Sequence, residues 1–262
     1  MGKAINISEI RNFNCQRSLK ESPFVFETLH VKGAVFYLTK DGVLNGDAFA
    51  IKSNNLLTVS LVEDMQGHGD PARRKLNNYI SDLEKITDSA SNDKHYILDV
   101  LRLDEKAGYA QDYLALSLVV LKNNGELECL NGGENIIIIR KNRDIFPLGP
   151  ESNCGKIGLL DLVHGSKNKY SSIVPYRDKL YGGDRIFLCS DGVIDLATEI
   201  DLSEQVKNNI INELKSNSSL ENTIKNINVN NFEALRKFDK IMPVDDYTIV
   251  CLELKQQHST NL

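Results

Sequence analysis

The sequence predicts an α+β domain built in layers, with mostly antiparallel sheets covered by helices. Three observations lead there. Apolar runs of strand length are bounded by Gly- or Asn-bearing breaks. The order is strands, two helices, strands, two helices and a final strand, which does not alternate as a doubly wound βα sheet would. No internal repeat or low-complexity linker divides the 262 residues, so positions 1–262 are expected to form a single domain.

Each element has its own local reason. A short amphipathic helix is expected at about 8–20, with Ser8 as its cap and Ile10, Phe13 and Leu19 as its apolar positions. Strand-like segments follow in FVFETLHV, AVFYLT, DAFAI and LLTVSLV. The period then changes. Asp70-Pro71 opens a helix with proline at its first position, and Ala72, Leu76, Tyr79, Ile80 and Leu83 share a face. A second helix is expected through HYILDVLRL. The β pattern resumes in DYLALSLVVL, turns at Asn124-Gly125, and continues in ELECLN and NIIIIRK; Asn-Gly between apolar runs is a hairpin signal. A loop-rich stretch is expected from about Pro147 to Lys169, then SSIVPY and the strand RIFLCS. Two helices from about Ser203 to Phe238 precede the last strand, YTIVCLEL, and the tail 256–262 is expected to be disordered.

Composition narrows the function classes. Hydrophobic content of 41% and charged content of 26% are ordinary for a globular protein, and a net charge of −5 argues against a dominant nucleic-acid or anionic-membrane surface. Cys15, Cys129, Cys154, Cys189 and Cys251 form no Cys-x-x-Cys pair, which suits a reduced cytoplasmic protein. The start does not read as a signal peptide, and runs such as Leu114 to Leu121 are too short to span a bilayer.

Four aspartates carry the chemistry: Asp47 in NGDAFA, Asp64 in VEDMQGHG, Asp191 in LCSDGV and Asp245 in PVDDYT. Each adjoins a strand-like run and a glycine or a second aspartate. Taken singly, each has a plainer reading: a turn that opens a strand, a cap for the next helix, a common Ser-Asp-Gly turn, a polar start to a strand. Taken together, they describe carboxylates aimed at one point from several strand ends. Gathered anions repel and raise one another's pKa unless cations are present. A hard divalent metal site built from oxygen ligands is the economical reason to collect them.

In order and context these segments resemble the PPM-type (protein phosphatase 2C-like) metal-dependent serine/threonine phosphatases, in their SpoIIE/RsbU branch. The residues that carry the resemblance are Gly46-Asp47, the Asp64-Met65-Gln66-Gly67-His68-Gly69 turn, Gly183-Asp184-Arg185 through Asp191-Gly192, and Asp245-Asp246-Tyr247-Thr248. It spans about residues 10 to 255. It implies a β-sandwich flanked by helices, with a centre of two Mn²⁺ or Mg²⁺ ions at one end. Asp64 would bridge both ions and the Met65 carbonyl would complete one ion's protein ligands. Asp191 and Asp245 would hold the other ion, and Asp47 would act directly or through water. Asp64 and Asp191 are the expected catalytic pair. Two such ions lower the pKa of a shared water and neutralise phosphoryl oxygens, so no cysteine nucleophile is needed.

The chain departs from the branch in two places. Gly132-Gly133-Glu134 stands where Ala-Gly-His is frequent, and Asn45 replaces the first glycine of a Gly-Gly-Asp. His68 is either a general acid or a turn residue packed over the site, and Arg73 and Arg74 are read as surface helix charges. The resemblance further implies a phosphorylated protein substrate of the STAS anti-anti-sigma type, within bacterial partner switching. No fused sensor domain is expected, which leaves regulation to the N-terminal helix, a partner or homodimerisation. The rival is a degenerate module that binds a partner without turnover, disfavoured because the expected carboxylates are all present. A calcium-binding domain is disfavoured by the lack of an Asp-x-Asp-x-Asp loop.

Overall fold

Two antiparallel sheets stack face to face in the computed structural model, which describes residues 5–6, 9–11, 22–38, 47–65, 74, 78, 81–82, 85, 114–132, 135–148, 156–157, 175–196, 201–240, 242–243 and 245–256. The first sheet contains β1 (Ile5–Asn6), β3 (Phe24–Glu27), β4 (Val31–Leu38), β14 (Tyr247–Leu254), β13 (Arg185–Cys189), β9 (Ile136–Lys141) and β10 (Asp144–Leu148), in that spatial order. The second runs β11 (Lys156–Ile157), β8 (Glu126–Gly132), β7 (Leu114–Lys122), β6 (Leu57–Met65), β5 (Asp47–Ser53) and β2 (Glu9–Arg11), with β12 (Tyr176–Lys179) also paired to β8. Only β1–β3 and β8–β11 pair in parallel among the described strands.

Alternation along each strand divides the apolar residues between two cores. Val35, Ile137, Ile139, Ile186, Leu188, Val250 and Leu252 of the first sheet face Phe49, Ile51, Val62, Val119, Leu121 and Cys129 of the second. The other side of the first sheet, with Phe36, Ile138, Phe187, Cys189, Tyr247 and Ile249, packs under two helices. These are α1 (Ser203–Lys215) and α2 (Leu220–Arg236). Val206, Ile210 and Leu214 recur every four residues on α1, and Leu220, Ile224 and Ile227 keep helical spacing on α2, so each helix presents one apolar stripe. The Ser219 side chain caps α2 by accepting the Asn222 N–H.

The expected strands from Phe24 to Met65, the Asn124-Gly125 hairpin, the two late helices and the final strand are all present. Gly125 has φ +87°, and its N–H donates to the Lys122 carbonyl at 2.9 Å. Positions 74, 78, 81, 82 and 85 are helical, in keeping with a helix after Pro71, and Arg74 is exposed there. Two expectations change. The helix expected at 8–20 does not begin as one: Glu9–Arg11 is strand β2, pairing Ile10 with Ile51. The free edge of β5 offers that segment a row of backbone partners, and a β-branched residue suits the role. Ser8, Phe13, Leu19, the helix expected through HYILDVLRL, and the tail beyond Gln256 lie outside the described residues. The stretch read as loop from Pro147 is preceded by β10, which continues to Leu148. A proline is tolerated there because β10 is the last strand of its sheet among the described residues.

Candidate metal centre

β5 begins at Asp47 and β6 ends just beyond Asp64, and in this antiparallel pair the two aspartates are direct register partners. Phe49, Ile51 and Val62 point into the core between the sheets, so alternation places Asp47 and Asp64 on the same inner face, at its end. Asp47 is 2% exposed, whereas Asp64 is half-buried.

The opposite sheet contributes two turns at the same end. β13 stops at Cys189, and Asp191–Val193 form a single 3-10 turn in which the Ile194 N–H donates to the Asp191 carbonyl at 2.7 Å. Gly192 lies directly on the backbone before β14: a Cβ there would collide with the Asp246 carbonyl oxygen, with the Asp245 carbonyl carbon 3.3 Å away. That close approach explains the glycine after Asp191. Asp245 accepts the Asp246 N–H at 2.8 Å through its carboxylate, and Asp246 is buried. Ser190 and Thr248 tie the two strand ends together, the Thr248 N–H donating to Ser190 Oγ at 3.0 Å.

Electrostatics register the crowding. Burial first, then the charge of Asp64, pushes the Asp47 carboxyl well above the usual carboxylate range. Asp246 adds to that push, while the Ser190 and Thr248 hydroxyls oppose it. The Cys189 thiol is raised by burial and then by the charges of Asp191 and Asp47. A buried anion facing other anions is the environment a divalent cation reverses, and all-oxygen donors match a hard ion. Among the described residues, no three His, Cys, Asp or Glu side chains are gathered tightly enough to cage a metal by themselves. The acids stand instead as neighbouring pairs, Asp47 with Asp64 and Asp245 with Asp246.

Of the five residues expected from sequence, Asp47 and Asp64 face each other, Asp191 and Asp245 adjoin through the Gly192 contact, and Met65 ends β6. His68, Asn45, Arg73 and Glu134 lie outside the described residues. Gly183-Asp184-Arg185 proves to be scaffolding at the far end of β13. The Asp184 carboxylate accepts the N–H groups of Asn142 and Tyr181, each at 2.8 Å. Arg185 pairs with Glu253 at 2.8 Å and donates to the Ser218 carbonyl at 2.7 Å, pinning the connection between α1 and α2. Sequence reasoning gave no site role to Ser190, Asp246 or Thr248, which meet beside the Asp191 turn. Alternation was the available signal, since Asp246 and Thr248 share the inward phase of Val250 and Leu252.

The fold and this carboxylate-lined end define a class, the PP2C-type (PPM) protein serine/threonine phosphatases. The model of the family described as Stage II sporulation protein E (SpoIIE) matches residues 57–255, and the chain belongs to that family. No curated protein sequence matches. Among solved structures, the chain is similar to the phosphatase domain of the cell-fate determinant SpoIIE from Bacillus subtilis, at 18% identity over 88% of this chain and 95% of that one, with TM-score 0.60. It is also similar to RsbX in complex with magnesium, at 17% identity over 89% of this chain and 100% of that one, with TM-score 0.61. A third is the catalytic domain of the serine/threonine phosphatase PstP with two manganese ions, at 13% identity over 87% and 99%, with TM-score 0.54. Among the described residues, no helix is long and apolar enough to cross a membrane.

Proposed function

We propose that this chain is a cytoplasmic phosphatase that removes phosphate from phosphoserine or phosphothreonine on a protein, using two Mn²⁺ or Mg²⁺ ions held at the carboxylate-lined end of the sandwich. The observation that carries the reading is the Asp47–Asp64 register pair, two acids directly opposed at a strand end, an arrangement of like charges that a sheet disfavours. In this reading Asp64 would serve both ions, the Met65 carbonyl would complete one ion's protein ligands, Asp191 and Asp245 would hold the other, and Asp47 would act directly or through water. When bound, the ions supply an activated water and neutralise phosphoryl charge. The chain's own part is to hold the carboxylates at fixed angles: β5 and β6 fix one pair, and the Gly192 contact fixes the Asp191 turn against Asp245. The magnesium in RsbX and the two manganese ions in PstP support the choice of cation. The substrate class we favour is a phosphorylated STAS-type regulator in bacterial partner switching.

The test is hydrolysis of a generic phosphomonoester and of a phosphorylated STAS protein, in Mn²⁺ and in chelator. Turnover of both in Mn²⁺ and of neither in chelator is expected. Activity indifferent to chelator refutes the metal mechanism. Cleavage of the small ester alone refutes the STAS assignment.

A further inference from the structure

We propose that Asn131 and Asn135 are positioning residues, two buried amides that fix the spacing of the sheets at the carboxylate end. They thereby set Asp47 and Asp64 against Asp191 and Asp245. This role rests on the reading of those carboxylates as a metal centre, and it concerns the gap between the centre's two halves.

The chain leaves the second sheet at Gly132, the end of β8, and enters the first at Ile136, the start of β9, so the two asparagines bracket the passage. Each bonds the sheet it does not belong to. The Asn131 side-chain NH₂ donates to the carbonyls of Asn135, at 2.7 Å, and Leu148, at 2.9 Å, while its Oδ1 accepts from the Ser117 hydroxyl. In the other direction the Asn135 NH₂ donates to the Val62 carbonyl at 3.2 Å. Register places these contacts beside the acids. Asn131, Ser117, Val62 and Phe49 form one row across the inner face of the second sheet, and the next row outward holds Asp64 and Asp47. On the first sheet Ile136 opposes Cys189, so Asn135 lies one step further on, beside Ser190, and Asp191 follows in the chain.

Stability alone does not account for Asn135. Its residue is fully buried, its one side-chain bond is 3.2 Å long, and its Oδ1 has no hydrogen-bond partner among the described residues. A buried acceptor left unpaired costs about as much as a hydrogen bond returns. Leucine would fill similar space, bury more hydrocarbon and strand no acceptor. What leucine cannot do is hold the opposite backbone at a set distance: apolar side chains pack without direction, whereas an amide bond has a length and an angle. Ions shared between carboxylates of two sheets need that distance kept to a fraction of an ångström. The sheets are also linked at their opposite end, where His30 Nε2 donates to the Asn54 carbonyl at 3.2 Å. That link lies far from the acids and serves as a control.

The experiment pairs calorimetric titration of the full chain with Mn²⁺, without substrate, with denaturant midpoints in chelator, for wild type, Asn135→Leu, His30→Ala and Asp64→Asn. Asn135→Leu should keep or raise the midpoint, yet bind Mn²⁺ about tenfold more weakly, the usual cost of losing a residue that supports metal ligands. His30→Ala should leave Mn²⁺ affinity unchanged. Wild-type affinity in Asn135→Leu beside weakened binding in Asp64→Asn overturns the positioning role alone. Equal weakening in Asn135→Leu and His30→Ala, or a midpoint that falls together with affinity in Asn135→Leu, makes the asparagine a stability residue and also overturns it. Unchanged binding in Asp64→Asn overturns the metal-centre reading and the positioning role with it. Should Asn135→Leu fail to fold, Asn135→Ala carries the same expectation for Mn²⁺, and wild-type affinity there overturns the proposal.

Discussion

Asp47 and Asp64 stand directly opposite one another on neighbouring antiparallel strands, like charges where a sheet favours opposite ones. Such a pair costs stability until something positive joins it. Asp64→Asn should therefore raise the melting temperature in chelator, by an amount reflecting roughly 0.2–1 kcal/mol of relieved repulsion. The same variant should lose the rise in melting temperature that Mn²⁺ confers on the wild type. Thermal melts with and without Mn²⁺ check both halves; a variant less stable in chelator sinks the idea.

Backbone and side-chain ligation separate at the next residue. Met65→Ala should keep Mn²⁺ binding and much of the turnover, because a hard cation does not favour a thioether and the carbonyl remains. Asp64→Ala should abolish turnover even at high Mn²⁺. Steady-state rates across a Mn²⁺ series distinguish the two, and equal losses would remove the bridging role from Asp64.

Gly192 and Gly183 offer a contrast between steric and conformational need. Gly192→Ala drives a methyl group into the Asp246 backbone, and should both destabilise the fold and cut activity by more than tenfold. Gly183 has φ +92° with open space where a Cβ would go. Gly183→Ala should cost about 1 kcal/mol through backbone strain alone and leave activity per folded molecule intact. Denaturant melts paired with specific activity test this; an inactive but stable Gly183→Ala would contradict it.

Behind the site, the Tyr247 hydroxyl donates to Asn228 Oδ1 at 2.9 Å and accepts from the Asn231 side chain at 3.2 Å. All three are buried between β14 and α2, and Phe36 meets the Tyr247 ring edge-on at 6.0 Å. Tyr247→Phe keeps the packing and strands two amides, so it should cost about 1–3 kcal/mol. Replacing Asn228 and Asn231 by Leu in the same background should recover part of that loss, as read by denaturant midpoint. A Tyr247→Phe protein as stable as wild type would show that the network contributes nothing net.

Periodicity and punctuation made much of the fold legible in the sequence. The strand through RIFLC and the Asn124-Gly125 turn are local events, decided by side chains within a few residues of one another. The four aspartates were legible for the same reason, since each sits in a turn whose chemistry is written beside it. Glu9–Arg11 was not: a helix-compatible segment became a strand because the edge of β5, some forty residues later, offered it partners. Nor could Gly183-Asp184-Arg185 be assigned, because Asn142, Glu253 and Ser218 reach it only after the sheets and helices have assembled. Residue type and local spacing thus determined which carboxylates exist and which strand ends carry them. Tertiary structure alone decided that Asp47 opposes Asp64 and that Ser190 meets Thr248, because strand register and sheet stacking join residues far apart in the chain.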